Sequence, residues 1–188
     1  MKRITCALII AICSYGVAKS QVGDQFPAME AETLTNEFVN LPEEIGGKYS
    51  LIGLAYSQKA EDDLKGWFEP VYNQFIYKNP NPGPFDFSFD VYTYFVPMFT
   101  GAKRPAYQKV MNKLQKTIDK RLQPNVLFYK GTLKEYKEAL NFDGKDLPYF
   151  YVLDPNGKIV YATSGRYTKQ KMQEITDAVE SAMEMGDE

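Results

Sequence analysis

Residues 49–56 constrain the fold more than any other segment, because they form an almost unbroken apolar run that begins and ends with tyrosine. A strand with one face in water alternates apolar and polar side chains, whereas an unbroken run is typical of a strand buried on both faces of its sheet. Other elements must cover both faces of such a sheet. The segment therefore predicts the central strand of an α/β domain whose sheet is flanked by helices.

The rest of the chain predicts further strands and helices around this strand. Ser57 stands at a helix start, and apolar side chains at spacings of three and four run from Leu64 to Phe75, with Pro70 as a point where this helix kinks or ends. The predicted elements are an extended entry segment (21–41), strands (49–56, 90–95, 125–129), helices (57–75, 104–122, and one from a capping box at Thr132 to Asn141), a β-hairpin (149–153 and 158–163) and a closing helix (168–185).

The first twenty residues have the pattern of a signal peptide. Lys2 and Arg3 precede an apolar stretch that is too short to cross a bilayer, and the small residues Ala18 and Ser20 predict cleavage before Gln21. A lipid anchor at Cys13 is disfavoured because a large residue precedes it. The sequence predicts a signal peptide over 1–20, one domain over 21–188, no transmembrane segment after removal of the leader, and export to the periplasm or the medium.

Cysteine and histidine usage excludes most of the chemistry that such a domain could perform. Both cysteines, Cys6 and Cys13, lie in the leader, and the chain has no histidine. The exported protein would have no disulfide, no thiolate, no imidazole base and no ordinary zinc site. We therefore expect no cofactor, no metal and no thiol enzyme activity.

The charge excludes nucleic acid as a partner. The leader carries three of the 22 basic residues and none of the 24 acidic ones, so residues 21–188 have a net charge of −5. A mildly acidic domain lacks the basic surface that phosphate backbones require.

Three segments resemble the redoxin and peroxiredoxin-like branch of the thioredoxin-like fold. They are residues 23–27 (Gly-Asp-Gln-Phe-Pro), the apolar strand Leu51–Tyr56 leading to Ser57, and Leu147-Pro148 before the hairpin. The likeness extends over about residues 21–185. It implies a central mixed sheet flanked by helices, with a C-terminal β-hairpin and helix.

The same resemblance shows where this chain departs from the redox-active members. Their Cys-x-x-Cys motif begins the helix after the buried strand, and here Ser57 and Ala60 occupy the two cysteine positions. The family's thiol-disulfide and peroxidase activities therefore do not transfer.

Pro148 matches the family's cis-proline, whose loop faces this helix start and exposes backbone to an extended peptide. The resemblance thus implies a partner groove formed by five residues, and the alternative is a loop that is retained only for folding. The groove residues are Tyr56, Ser57, Gln58, Leu147 and Pro148.

Other local runs are similar to the mitochondrial ATP synthase assembly factor family. They are residues 55–60, the sequence Trp-Phe-Glu-Pro at 67–70, and the late run that extends from 126–131 through the hairpin to 163–165. That family is thioredoxin-like, lacks the redox cysteines and assists assembly of a membrane complex. The resemblance implies that a cysteine-free member works by binding.

These observations favour an exported, non-catalytic thioredoxin-like protein that binds a protein or extended peptide in an assembly or chaperone-like role. Two alternatives remain: a redox-family protein acting through its partner's cysteines, and an enzyme that uses carboxylate, lysine or tyrosine groups. We interpret Ser57 as a helix cap rather than a nucleophile, and the acidic run 61–63 as complementing the helix dipole rather than binding calcium. Trp67 is expected in the core, and the loop 78–89 with Phe85, Phe87 and Phe89 is a second candidate partner surface.

Overall fold

A seven-stranded mixed sheet organises the protein in the computed structural model, which describes residues 21–81 and 88–186. The strand order is β2-β1-β5-β4-β3-β6-β7, in which β3, β4 and β5 are parallel to one another and the other neighbours are antiparallel. The strands are β1 (Met29–Thr33), β2 (Phe38–Leu41), β3 (Ser50–Ala55), β4 (Tyr92–Thr100), β5 (Leu127–Gly131), β6 (Tyr149–Leu153) and β7 (Ile159–Ser164).

Helices cover both faces of this sheet, as the sequence predicts. They are α1 (Gln58–Lys65), α2 (Phe68–Val71), α3 (Tyr107–Thr117), α4 (Lys134–Ala139) and α5 (Lys169–Gly186), and a π-helical turn (Tyr72–Ile76) continues α2. Apolar side chains of α1, α2, α3 and α5 pack on one face, and those of α4 pack on the other. Within the described ranges, no helix is both long and apolar enough to span a bilayer.

The central position of β3 confirms the interpretation of the apolar run. All six of its residues are buried; Leu51 and Ala55 face one core, whereas Ile52 and Leu54 face the other. Gly53 lies where a side chain would not fit, because a Cβ atom there would be 2.7 Å from Cε1 of Phe150 on β6. The hairpin of β6 and β7 and the closing helix α5 are also confirmed.

The single helix predicted over 57–75 is divided. Helix α1 ends at Lys65, and the backbone N–H groups of Gly66 and Trp67 donate to carbonyls three residues earlier, which tightens the last turn. Pro70 is the third residue of α2, where its missing N–H costs no intrahelical hydrogen bond. The division therefore lies before the proline. Four residues of the apolar stripe are buried and two are half-buried, namely Leu64, Trp67, Val71 and Phe75, and Phe68 and Tyr72.

Other boundaries also differ from the prediction. Residues 104–122 contain a shorter α3, preceded by a 3-10 helix (Gly101–Ala106) that includes Pro105. Strand β4 is longer than predicted, and the entry segment contains the antiparallel pair of β1 and β2. Thr132 is not a cap: α4 begins at Lys134, after Leu133, and its first turn has no side-chain cap.

The prediction of a cis bond before Pro148 is wrong. The cis peptide bond in the described chain is Leu41–Pro42, so Leu147–Pro148 is trans. The Pro148 carbonyl accepts a hydrogen bond of 2.8 Å from the Gly165 N–H, which extends the pairing of β6 with β7 by one residue. Pro148 thus continues the pairing of β6 and follows a trans peptide bond, the isomer that X–Pro bonds ordinarily prefer.

Candidate functional site

The start of α1 lies at the carboxyl end of β3, which is the position that the resemblance to redoxins implies for a Cys-x-x-Cys motif. Ser57 has extended backbone angles, and its Oγ accepts a hydrogen bond of 3.0 Å from the Ala60 N–H. Ser57 is 5% exposed and Ala60 is fully buried. The hydroxyl therefore acts as the helix cap that the sequence predicts.

The two former cysteine positions offer no thiol chemistry. Residues 21–188 contain neither cysteine nor histidine, so Ser57 has no imidazole beside it to act as a base. The small, buried side chain at Ala60 packs in the core formed by α1 and β3. Positions 57 and 60 therefore lack the groups of a thiol centre or of a serine–histidine nucleophile.

The three acidic residues that follow, at positions 61–63, form ion pairs with three different basic residues. Glu61 forms an ion pair with Lys103, Asp62 with Lys65 at 2.7 Å, and Asp63 with Arg166 at 2.9 Å. Each carboxylate thus points to a different partner. In the ranges 21–81 and 88–186 there is no group of three or more cysteine, histidine or acidic side chains that could hold a metal.

A cavity of about 630 Å³ opens beside the Ser57 end of α1. Its lining comes from five parts of the chain: the start of α1, the end of β4 with the following 3-10 helix, α3, the α4 segment and the loop after α4. The lining residues are Tyr56, Ser57, Gln58, Glu61, Phe99, Thr100, Ala102, Lys103, Ala106, Val110, Leu133, Lys137 and Lys145. The carboxyl ends of parallel strands are where open α/β sheets bind ligands, and this cavity lies at the ends of β3 and β4.

Three of the five predicted groove residues line this cavity, namely Tyr56, Ser57 and Gln58. Leu147 and Pro148 do not: Pro148 is buried, and Leu147 packs so closely that a Cβ on Gly144 would be 2.9 Å from its Cδ1. The loop before β6 reaches the cavity through the exposed Lys145 instead.

An aromatic cluster ties this loop to the helix start. The Tyr56 ring stacks on Phe142 with centroids 5.2 Å apart, and its hydroxyl donates to the Gly144 carbonyl at 3.0 Å. The Tyr149 hydroxyl accepts from the Gly144 N–H at 2.7 Å and lies 2.9 Å from the Asp143 carboxylate. Burial raises the pKa of Tyr56 and of Tyr149 above the usual value of about 10, so both hydroxyls stay protonated well above neutral pH, and their hydrogen bonds hold the loop in place.

A second cavity, of about 500 Å³, lies between α1–α2 and α3. Its walls are mainly apolar and include Leu64, Phe68, Leu114 and Ile118. The sequence predicts a helix over 104–122 but does not predict this cavity, because an apolar stripe on a helix is ordinarily taken up by the core. Val110, Leu114 and Ile118 are in fact only half-buried.

The two remaining aromatic predictions have different outcomes. Trp67 is confirmed as core, since it is fully buried and its Nε1–H donates to the Gly165 carbonyl at 3.1 Å. Phe85 and Phe87 of the loop 78–89 lie outside the described residues, as do the proposed signal peptide and its two cysteines. Phe89 is half-buried and packs on Phe75 with ring centroids 5.3 Å apart.

Solved structures with the same fold have low sequence identity to this chain. An uncharacterised conserved protein of Geobacillus kaustophilus matches with a TM-score of 0.57 and 16% identity, over 87% of this chain and 82% of that one. The reduced 2-Cys peroxiredoxin of Plasmodium vivax matches with a TM-score of 0.54 and 16% identity, over 89% and 86%. BsSco, a member of the Sco family of cytochrome c oxidase assembly proteins, matches with a TM-score of 0.53 and 14% identity, over 87% and 98%.

These likenesses confirm the thioredoxin-like fold, with its mixed sheet, flanking helices and C-terminal hairpin and helix. A search of curated protein sequences found no match. The family model described as ATP10 protein matches residues 17–181, which is most of the chain and includes every segment that carries the resemblance to ATP synthase assembly factors. This chain therefore belongs to the ATP10 protein family.

Proposed function

We propose that this protein is an exported, non-catalytic assembly factor that binds a protein or extended peptide partner in the cavity beside Ser57. Family membership supports an assembly role, and the similarity to BsSco indicates that another assembly protein uses the same fold. The observation that carries the proposal is the state of the former redox centre. Ser57 caps a helix and Ala60 is buried, yet an open cavity remains beside them.

Site-specific photo-crosslinking tests the location of partner binding. A photoreactive residue replaces Gln58, which lines the cavity, and the protein is crosslinked in its native envelope fraction. The control probe replaces the exposed Asn156, in the turn between β6 and β7. Since β6 runs antiparallel to β3 and Leu153 pairs with Ser50, this turn lies at the opposite end of β3 from the cavity.

The proposal predicts one specific protein adduct from position 58 and none from position 156. Equal labelling from both positions, or no adduct from position 58, contradicts a partner site in this cavity. Because the probes differ only in location, general stickiness of the protein would label both.

The mass of the native protein tests export and the absence of thiols. Cleavage before Gln21 gives a chain of residues 21–188 that does not react with maleimide, whereas the uncleaved chain has two reactive cysteines. A native protein that begins at Met1, or one that reacts with maleimide, contradicts this part of the proposal.

A further inference from the structure

The two cavities are neighbouring parts of one cleft. Gln58, Glu61 and Val110 line both of them, so these residues form the boundary at which the cavities meet. We call the combined feature the α1–α3 cleft. It extends from the lysines of α4 and the following loop, past the start of α1, to the apolar space between α2 and α3.

The two ends of the α1–α3 cleft differ in chemistry. The far end has apolar side chains, including Leu64, Phe68 and Leu114, and it also has Lys65, Lys113 and Asp119, of which Lys65 and Asp119 are held in ion pairs with Asp62 and Arg121. The near end carries three lysines, Lys103, Lys137 and Lys145. A ligand that fills the whole cleft therefore fits best when it is apolar beside Leu64, Phe68 and Leu114 and carries negative charge at the near end.

Two of the three lysines are available to a ligand. Lys103 is neutralised by Glu61 in an ion pair whose side chains are 28% and 11% exposed. Within the described part of the chain, Lys137 and Lys145 form no ion pair. The charges of these two lysines therefore remain available to a ligand, in a chain whose residues 21–188 carry a net charge of −5.

We propose that the α1–α3 cleft binds a protein segment in which acidic side chains adjoin apolar ones, with the acids at Lys137 and Lys145 and the apolar side chains between α1–α2 and α3. This inference rests on the proposed function, because it names the chemistry of the partner at the same site. Charge complementarity selects an acidic segment, and the apolar far end excludes a segment that is acidic throughout.

The dimensions of the cleft fit a short extended segment. Helix α1 forms one wall from Gln58 to Lys65, and eight helical residues span about 12 Å. An extended chain advances about 3.3 Å per residue, so roughly four residues lie beside α1. The acidic residues of the bound segment then lie in the cavity beside Ser57.

Peptide titration of the isotope-labelled exported protein, followed by NMR, tests this chemistry. The probe is an eight-residue capped peptide with two glutamates at one end and alternating leucine and serine after them, made in both chain directions. One control peptide has glutamine for glutamate, and another has serine for leucine. We expect saturable amide shifts at Gln58, Val110, Lys137 and Lys145 with one direction of the first peptide, and at least tenfold weaker binding of both controls.

Charge-reversed variants separate the lysines from general charge effects. Lys137→Glu with Lys145→Glu should weaken peptide binding by about tenfold or more, because two attractions become repulsions. The control variant, Lys109→Glu with Lys116→Glu, makes the same charge change at exposed positions of α3 that do not line the cleft, and should bind as the wild type does. Raising the salt concentration should weaken binding to the wild type more than to the Lys137/Lys145 variant.

Each other outcome identifies what failed. The proposal of an acidic segment is overturned if the glutamine peptide binds as tightly as the glutamate peptide. It is also overturned if neither direction of the glutamate peptide shifts the amide signals at millimolar concentration. Saturable shifts with decanoate and none with the peptides would overturn it in favour of an amphiphilic small molecule. If the crosslink from position 58 persists in the Lys137/Lys145 variant, the proposal of an acidic segment is wrong while the proposed function stands. If the wild type forms no crosslink from position 58, the proposed function itself fails.

Discussion

Replacing Ser57 with alanine should destabilise the protein more than the loss of an ordinary helix cap. The substitution removes the Oγ that accepts the Ala60 N–H at 3.0 Å. Loss of a serine cap costs about 0.5–2 kcal/mol, and a buried donor without an acceptor costs about 1–3 kcal/mol. Both ranges describe the same hydrogen bond, so they are not added. Because Ala60 is fully buried and water cannot replace the acceptor, we expect a loss of about 2 kcal/mol.

Thr168→Ala supplies a matched control. The Thr168 Oγ1 accepts the Lys171 N–H at 3.1 Å at the start of α5, but this site is exposed, so water can bind the freed N–H. We expect this variant to lose about 0.5–1 kcal/mol, the lower part of the range for a lost cap.

Urea and thermal unfolding of both variants, followed by far-ultraviolet circular dichroism, measure the difference. For a domain of this size, about 1 kcal/mol lowers the Tm by roughly 2–4 °C, so Ser57→Ala should unfold about 4–8 °C below the wild type. A Ser57→Ala variant no less stable than Thr168→Ala would refute the argument that burial of Ala60 makes this cap costly.

Three further substitutions test the core and its pH dependence. Gly53→Ala should lower the free energy of unfolding in urea by about 1–3 kcal/mol, because its Cβ would collide with Phe150; unchanged stability would contradict this close approach. Trp67→Phe keeps an aromatic ring but leaves the buried Gly165 carbonyl without its donor, so a loss of about 1–3 kcal/mol is expected in the same assay, and a neutral result would argue against the hydrogen bond. Burial raises the pKa of Tyr149 above the value of about 10 in unfolded chains, so above pH 10 the unfolded state binds fewer protons and stability falls as pH rises. Unfolding in urea from pH 7 to 11 should show this decline, less steeply in Tyr149→Phe, and equal slopes would contradict the raised pKa.

Local sequence patterns predicted the elements whose signals lie within a few neighbouring residues. The unbroken apolar run predicted β3, and the Asp-Pro-Asn-Gly turn between two strand patterns predicted the hairpin of β6 and β7. Boundaries were less predictable, because they depend on packing. Helix α1 ends at Lys65 although the apolar stripe continues, and β4 extends through Pro97, which is paired with Ala55 of β3 in the sheet.

The candidate site was only partly predictable. Tyr56, Ser57 and Gln58 were identified because they directly follow the central strand, which any thioredoxin-like fold places at a sheet edge. Lys137 and Lys145 carry no local signal, since each is one lysine among many in an exposed segment.

The sequence by itself determined which chemistry is absent from residues 21–188, because composition does not depend on folding and a domain without cysteine or histidine has no thiolate and no imidazole. It also determined the α/β class, through the periodicity of its apolar residues. Only the tertiary structure decided what surrounds Ser57. The parallel pairing of β3 with β4 and the antiparallel pairing of β3 with β6 bring segments near residues 58, 103 and 145 to the same end of the sheet, and such long-range contacts leave no local trace in the sequence.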